Sequence, residues 1–422
     1  MNSKPNTILL RNVAIFDGNN EALSKDMDLL VENNKIAKIA QSIPVGEGAS
    51  VIDAKGRTLT PGFIDAHSHL MLQMSFAEAF TSDEFYWAYV STQTARTYLN
   101  NGFTTIREMA GNSFSLKKAI DRGIVEGPRI YPSGPMISQT SGHSDHRTDA
   151  QKSAMIASEP SIPMKYDMVQ IADGRAEVLK AVREALRRGA SQVKIAVGGG
   201  TGSFADPMDV TQYTLDEIQA AVEAAADWGT YVVAHAYTDD AIRRAIEGGV
   251  KSIEHGNLMN EETLCLMKEK DIWLSPQVSV YTFHPNGYTE EMKKKHDQAF
   301  AGIDNMFNNV KKIGFEKIAF GSDIITDPEM MARINEEFVH RTKWFTPAEI
   351  LRQATANSAT LLALSGPRNP YQGKLGVIEE GAYADLLLVN GNPLKDISIL
   401  TNPEENLALI MKDGKIWKNN IS

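Results

Sequence analysis

Cysteine is nearly absent from this 422-residue chain: Cys265 is the single one, so no intrachain disulfide can form. It lies in the apolar-periodic stretch Thr263-Leu264-Cys265-Leu266-Met267, which predicts a buried helix face on which the thiol serves as a small hydrophobe rather than a nucleophile. Basic blocks are also missing. The 53 acidic side chains outnumber the 43 basic ones, giving a formal charge of −10 spread along the chain, so nothing is expected to track phosphates and nucleic acid is not an expected partner. No run of about 18 apolar residues occurs, and Met1-Asn2-Ser3-Lys4-Pro5-Asn6 lacks the continuous apolar region of a secretory signal. A cytoplasmic protein without membrane contact is the expectation. Glycine-rich Gly198-Gly199-Gly200-Thr201-Gly202 lacks the phosphate-loop lysine and the G-x-G-x-x-G spacing, so it reads as a close-packed turn.

What is present falls into two patterns. Short strand-like pieces separated by turn residues fill Thr7 to Thr60, among them Ile8-Leu9-Leu10, Val13-Ala14-Ile15-Phe16 and Asp28-Leu29-Leu30-Val31. The same pattern returns at the far end in Ala384 to Val389, Leu407 to Met411 and Gly414 to Trp417, so the two ends are expected to pair into one small β module. Between them, short apolar strands alternate with helical stretches. Beginning at Pro61-Gly62-Phe63-Ile64, the candidates are Thr104 to Arg107, Arg129 to Tyr131, Val193 to Ile195, Tyr231 to Ala234, Ser252 to Glu254, Ile272 to Leu274 and Ile318 to Phe320. Repeated βα units predict an α/β fold with a parallel sheet, most simply a (β/α)8 TIM barrel of about 250 residues, with a doubly wound sheet giving similar periodicity. Thr214 ahead of Glu217 predicts a capping box opening a helix to Trp228. The aperiodic segments Ser133 to Tyr166 and Gln277 to His296 are too long for ordinary turns and are expected to cover a site.

His67-Ser68-His69 places two imidazoles on one side of an extended chain, because i and i+2 of a strand share a face, and they follow the apolar run from Pro61. His235, His255 and Asp323 each end an apolar run of the same kind, at the strand ends where barrel enzymes assemble their chemistry. Four of the nine histidines fall at such places. Lys194 sits inside the strand Gln192 to Val197, where a bare ammonium is costly. Two readings account for it: an ion pair with Asp323 or Glu254, or carboxylation of the amine by carbon dioxide to give an anion able to bridge two metals.

In this order, these residues resemble the amidohydrolase superfamily: a strand-one His-x-His, a strand-four lysine, histidines ending strands five and six, and a strand-eight aspartate. The resemblance extends over nearly the entire chain, including Pro61 to His69, Gly321-Ser322-Asp323, Ala354 to Ala359 and Gly376 to Leu386. Gly142-His143 near Asp145, Lys194 with the three glycines, and His235-Ala236-Tyr237 look most like the Xaa-Pro dipeptidase, or prolidase-type, group. The resemblance implies a binuclear metal-dependent hydrolase of carbon–nitrogen bonds acting on dipeptides or N-acyl amino acids. Its fold would be a barrel over 61–365 with a small β-sandwich domain formed by 1–60 and 366–422.

Two divalent metal ions are implied, with zinc expected from the ligand types. His67, His69 and Asp323 would hold one, His235 and His255 the other, and N-carboxylated Lys194 would bridge both. The resemblance further implies that Asp323 handles the proton, that His143 polarises the scissile carbonyl and that Tyr237 bonds the substrate. His146 and Arg147 compete with His143 for substrate contact. Small-molecule substrates and assembly into homo-oligomers are implied as well. A cyclic amide or an aromatic amino-acid amide such as a mycotoxin conjugate is the alternative substrate. A metal-free scaffold homologue is the non-enzymatic one. Lys194 speaks against the single-metal imidazolonepropionase type, and His284, His296 and His340 receive no role.

Overall fold

The computed structural model describes residues 7–46, 48–147, 150–151, 160–204 and 206–421. Parts of the expected cover loop between Ser133 and Tyr166, of the 198–206 turn, and of the N-terminal stretch before Thr7 lie outside these.

The two ends of the chain share one eight-stranded sheet. Its order is Lys415–Asn419, Leu407–Lys412, Leu386–Val389, Thr58–Pro61, Thr7–Ile15, Ser24–Glu32 and Lys35–Ala40, with Ser50–Asp53 also paired to Thr7–Ile15. The seam is antiparallel, from Leu386 opposite Pro61 to Val389 opposite Thr58. Side chains alternate across a strand, and this explains why Leu386 to Val389 is apolar without interruption. Leu386 and Leu388 pack with Leu10, Leu29, Leu59 and Leu409 in the sheet's own core, while Leu387 and Val389 face the larger core of the molecule.

The rest of the chain forms mixed α/β structure in which the described strands all pair in parallel. Phe63–Ser68, Phe103–Glu108 and Arg129–Pro132 form a three-stranded sheet. Six strands form another in the order Val169–Ile171, Met136–Ser138, Val193–Ala196, Val232–Ala236, Ser252–His255 and Trp273–Ser275. The expected eighth strand, Ile318 to Phe320, makes no ladder. It has a single parallel bridge, Leu274 to Ile318, and the Phe320 carbonyl accepts from Ala66 N–H at 2.7 Å. Gly321 and the left-handed Asp323 (φ 52°) turn the chain away before pairing can extend. This short segment nevertheless joins the edges of both parallel sheets.

The helix Leu215–Asp227 opens as its sequence predicts. The Thr214 N–H and hydroxyl both donate to the Glu217 carboxylate, at 2.8 and 2.9 Å. The prediction for Cys265 is corrected: the helix Glu261–Glu269 buries Thr263, Leu264 and Met267, and Cys265 is exposed. A 3.6-residue period allows one stripe inward, and Cys265 lies outside the stripe set by Leu264 and Met267.

Candidate active site

The strand Phe63–Ser68 delivers His67, and a single aspartate within that strand fixes the surrounding backbone. Buried Asp65 accepts the His67 N–H at 2.9 Å and the Ser322 N–H at 3.1 Å on one oxygen. Its other oxygen takes the Ser322 hydroxyl at 2.5 Å and the Tyr98 hydroxyl at 3.0 Å. The Asp323 N–H donates to the His67 carbonyl at 2.9 Å. The His-x-His strand and the Asp323 turn are thereby locked together. Gly321 allows the close approach, since a Cβ there would meet the His67 Cβ at 2.9 Å.

Asp323 Oδ1 lies 3.3 Å from His67 Nε2 and 3.0 Å from His69 Nε2, and its Oδ2 lies 3.9 Å from His255 Nδ1. Burial pushes the carboxyl up, but the facing imidazoles outweigh burial and hold it well below the usual carboxylate range. His67 Nδ1 faces Glu254 Oε2 at 2.8 Å, so the ring proton belongs on Nδ1 and Nε2 keeps its lone pair. Glu254 is bound in turn by the Arg107 guanidinium at 2.7 Å, with both side chains fully buried, and by the Ser252 hydroxyl at 2.8 Å. Burial raises the Glu254 carboxyl, yet Arg107 and His67 hold it well below its ordinary value. His255 Nδ1 meets Gln277 Oε1 at 2.8 Å, and His235 Nε2 meets the Gly199 carbonyl at 3.2 Å. His255 and His235 thus each commit one nitrogen to these partners, and His67 turns its second nitrogen to Asp323. His255 holds this place with a left-handed backbone, φ 73°, a strained conformation that only an over-determined surrounding maintains.

Lys194 is buried, and burial pushes its amine down to about 8 against the opposing pull of Glu254 and Asp323. The expected ion pair is not seen among the described residues: Glu254 is taken by Arg107 and His67, Asp323 by His67 and His69. His143 stacks on His235 at 3.9 Å with the rings nearly parallel, and its Nδ1 is held by the Ser203 hydroxyl at 2.8 Å, with Asp206 behind it at 3.4 Å. The glycine run accounts for this packing. A Cβ on Gly200 would fall 2.0 Å from His143 Nδ1, and one on Gly199 would fall 1.8 Å from the Pro207 carbonyl. The Tyr237 hydroxyl meets that of Tyr281 at 2.7 Å, and Tyr281 reaches His255 Nδ1 at 3.1 Å. Arg147 forks onto Asp145 through Nε at 2.7 Å and Nη2 at 2.5 Å, so its guanidinium is engaged.

One cavity of about 100 Å³ gathers His67, His69, Lys194, His235, His255, Asp323, His143, Tyr237 and His146 on its lining; Arg147 is not part of it. His296, given no role from sequence, also lines the cavity, with Nε2 on the Val280 carbonyl at 2.9 Å. Sequence reasoning missed Asp65, Arg107 and Gln277. It named Glu254 only as a partner for Lys194. A charge inside an apolar strand, the signal that singles out Lys194, also marks Asp65, Arg107 and Glu254.

A histidine and carboxylate cluster at the strand ends of a parallel α/β body has the make-up of a metal-ligating site. A family model described as the amidohydrolase family matches residues 58–417. Ochratoxinase of Aspergillus niger is 32% identical over 380 residues, covering 85% of this chain and 75% of that one. Among solved structures, a prolidase complexed with N-methylphosphonate-L-proline superposes with a TM-score of 0.91 at 32% identity, over 98% of this chain and 100% of the other. An Xaa-Pro dipeptidase with bound methionine gives 0.85 at 31% identity, with coverage of 98% and 100%. The chain belongs to the amidohydrolase family, with structural neighbours of the prolidase type, and it is a hydrolase acting on amide bonds. Members of this family generally use divalent metals. His67, His255 and Asp323 form a group able to hold one, their ligand atoms lying within 4.8 Å of one another.

Proposed function

We propose that the chain is a binuclear metal-dependent amidohydrolase that cleaves the amide bond of dipeptides or N-acyl amino acids. The observation that carries this reading is the gathering of His67, His69, His235, His255, Asp323 and the buried Lys194 amine on the lining of a single cavity. Nitrogen and carboxylate-oxygen donors of this kind suit zinc. His67, His69 and Asp323 would hold one ion, His235 and His255 the other, and N-carboxylated Lys194 would join both. The reading of Lys194 is supported by its amine, which at about 8 is partly unprotonated near neutrality and so able to attack carbon dioxide, losing a proton as the N–C bond forms. Ions bound there would acidify water and polarise the scissile carbonyl.

The remaining steps belong to the chain's own groups. Asp323 takes the proton of the attacking water and passes it to the departing nitrogen, which must be protonated to leave. His143, fixed through Nδ1 by Ser203 and Asp206, is the group that would polarise the scissile carbonyl. Tyr237, oriented by Tyr281, hydrogen-bonds the substrate. In the same reading, residues 61–365 form a closed (β/α)8 barrel, residues 1–60 and 366–422 a small β-sandwich, and the enzyme is a cytoplasmic homo-oligomer.

Similarity to ochratoxinase favours a second reading, in which the substrate is an aromatic amino-acid amide. A screen of dipeptides, N-acyl amino acids, aromatic amino-acid amides and cyclic amides on metal-replete enzyme with bicarbonate present separates these. Turnover of linear substrates that release a free amino acid is expected. Cleavage confined to cyclic amides would overturn the proposal.

A further inference from the structure

Apart from the histidines, the described residues of the cavity carry ionic side chains only in its chemical cluster. Among the described residues on its lining, Asp323 and Lys194 are the only carboxylate and amine, no arginine is present, and Leu72, Phe76, Phe80, Trp87, Met136 and Met168 make up much of the rest. His146 belongs to this apolar part. Its ring meets Phe76 at 5.9 Å, and it meets Phe80 at 6.3 Å and Phe204 at 6.1 Å edge to face. Its Nδ1 is sealed from solvent and has no hydrogen-bond partner among the described residues. Buried polar atoms without partners are rare, and this one borders the cavity. Burial, reinforced by His143, pushes the pKa of the ring down to about 4, so it stays neutral near pH 7.

We propose that this enclosure is an acyl-group subsite for an uncharged, aryl-sized group, and that His146 is a specificity-determining residue favouring N-acylated amino acids over free dipeptides. The inference rests on the amide-hydrolase reading above and narrows its substrate class. Among the described residues, an α-ammonium seated here would lose its water without gaining a carboxylate, because Asp323 is engaged by His67 and His69. Ring faces compensate a cation only in part. An uncharged aryl or alkyl acyl group pays no such penalty and covers apolar wall that water would otherwise contact.

The test uses substrate pairs in which a hydrogen replaces the ammonium: L-phenylalanyl-L-proline against 3-phenylpropanoyl-L-proline, and the same two acyl groups on L-phenylalanine. On metal-replete enzyme, kcat/KM is expected to favour the des-amino member by about tenfold or more. His146→Glu, which sets a carboxylate in the enclosure, is expected to move that ratio toward the dipeptide by about tenfold or more. His146→Gln keeps the position neutral and is expected to keep the wild-type ratio. A ratio taken within one enzyme does not depend on how much of a variant folds. A dipeptide that equals or beats its des-amino counterpart in the wild type overturns the inference and leaves the hydrolase reading standing, and so does a ratio that His146→Glu leaves unmoved. If the wild type turns over none of the four compounds, the dipeptide and N-acyl amino-acid reading falls, and the inference falls with it.

Discussion

Glu254 touches no bulk solvent and stands one residue before His255, yet its carboxylate orients His67 on another strand and is itself neutralised by Arg107. A carboxylate behind a ligating imidazole fixes the tautomer and raises the basicity of the nitrogen that faces the metal. Glu254→Gln is therefore expected to weaken divalent-metal affinity by roughly 10- to 100-fold while the cavity residues stay in place, measured by competition against a chelator of known affinity. Unchanged affinity would remove Glu254 from the account. The ligand candidates His67, His69, Lys194, His235, His255 and Asp323 were legible in the sequence because each sits at an apolar strand's end or, for Lys194, inside one. The supporting residues Asp65, Arg107 and Glu254 were less so. Their charges were visible within apolar strands, but which strand each one serves depends on register across the sheet, and Glu254 acts on His67, 187 residues away. The same limit applies to His143, His146 and Arg147. The family resemblance implied that these three compete near the substrate, and only the structure assigns Arg147 to Asp145 and leaves His146 Nδ1 without a partner among the described residues.

Elements were recovered where periodicity was strong. The strands at both chain ends, most of the parallel strands and the capped helix from Leu215 lie where the apolar pattern and the Thr214–Glu217 pair put them. Ile318 to Phe320 escaped because a three-residue apolar run can be buried by its neighbours without forming a ladder, and Cys265 because a five-residue window does not fix which side of a helix turns inward. The strand Arg129–Pro132 is tied to the terminal sheet by ions that the apolar pattern could not reveal. Arg129 Nε bonds Asp385 at 3.0 Å, and its Nη2 bonds Asp413 at 2.6 Å. Burial raises the Asp413 carboxyl, but Arg129 and the Asn34 amide outweigh burial and hold it below its ordinary value. A depressed carboxylate stabilises the fold above its unfolded pKa of about 4, and that contribution is lost as pH falls through the lower folded value. Asp413→Asn is expected to lower the melting temperature at pH 7, with the gap from wild type narrowing below about pH 4. A gap that is independent of pH would show that the ion pair contributes nothing.

At the scale of the whole molecule, one β-sheet built from both chain ends and a parallel α/β body meet through strands buried on both faces. The cluster forms where separate strands deliver His67, Lys194, His235 and His255, and where the segment joining the edges of the two parallel sheets delivers Asp323. Those groups are dispersed over more than half of the chain, so partial unfolding of any one βα unit would scatter the site. The central claim is that these six residues hold two ions and that Asp323 carries the proton. Metal content and amide hydrolysis, measured on the same preparations of wild type and Asp323→Asn purified without chelator, address it most directly. The account predicts two divalent ions per wild-type chain, and an Asp323→Asn variant that retains metal yet loses turnover by roughly 10²-fold or more. Wild-type enzyme that is fully active with no bound ion, or an Asp323→Asn variant with near-normal turnover, would contradict it.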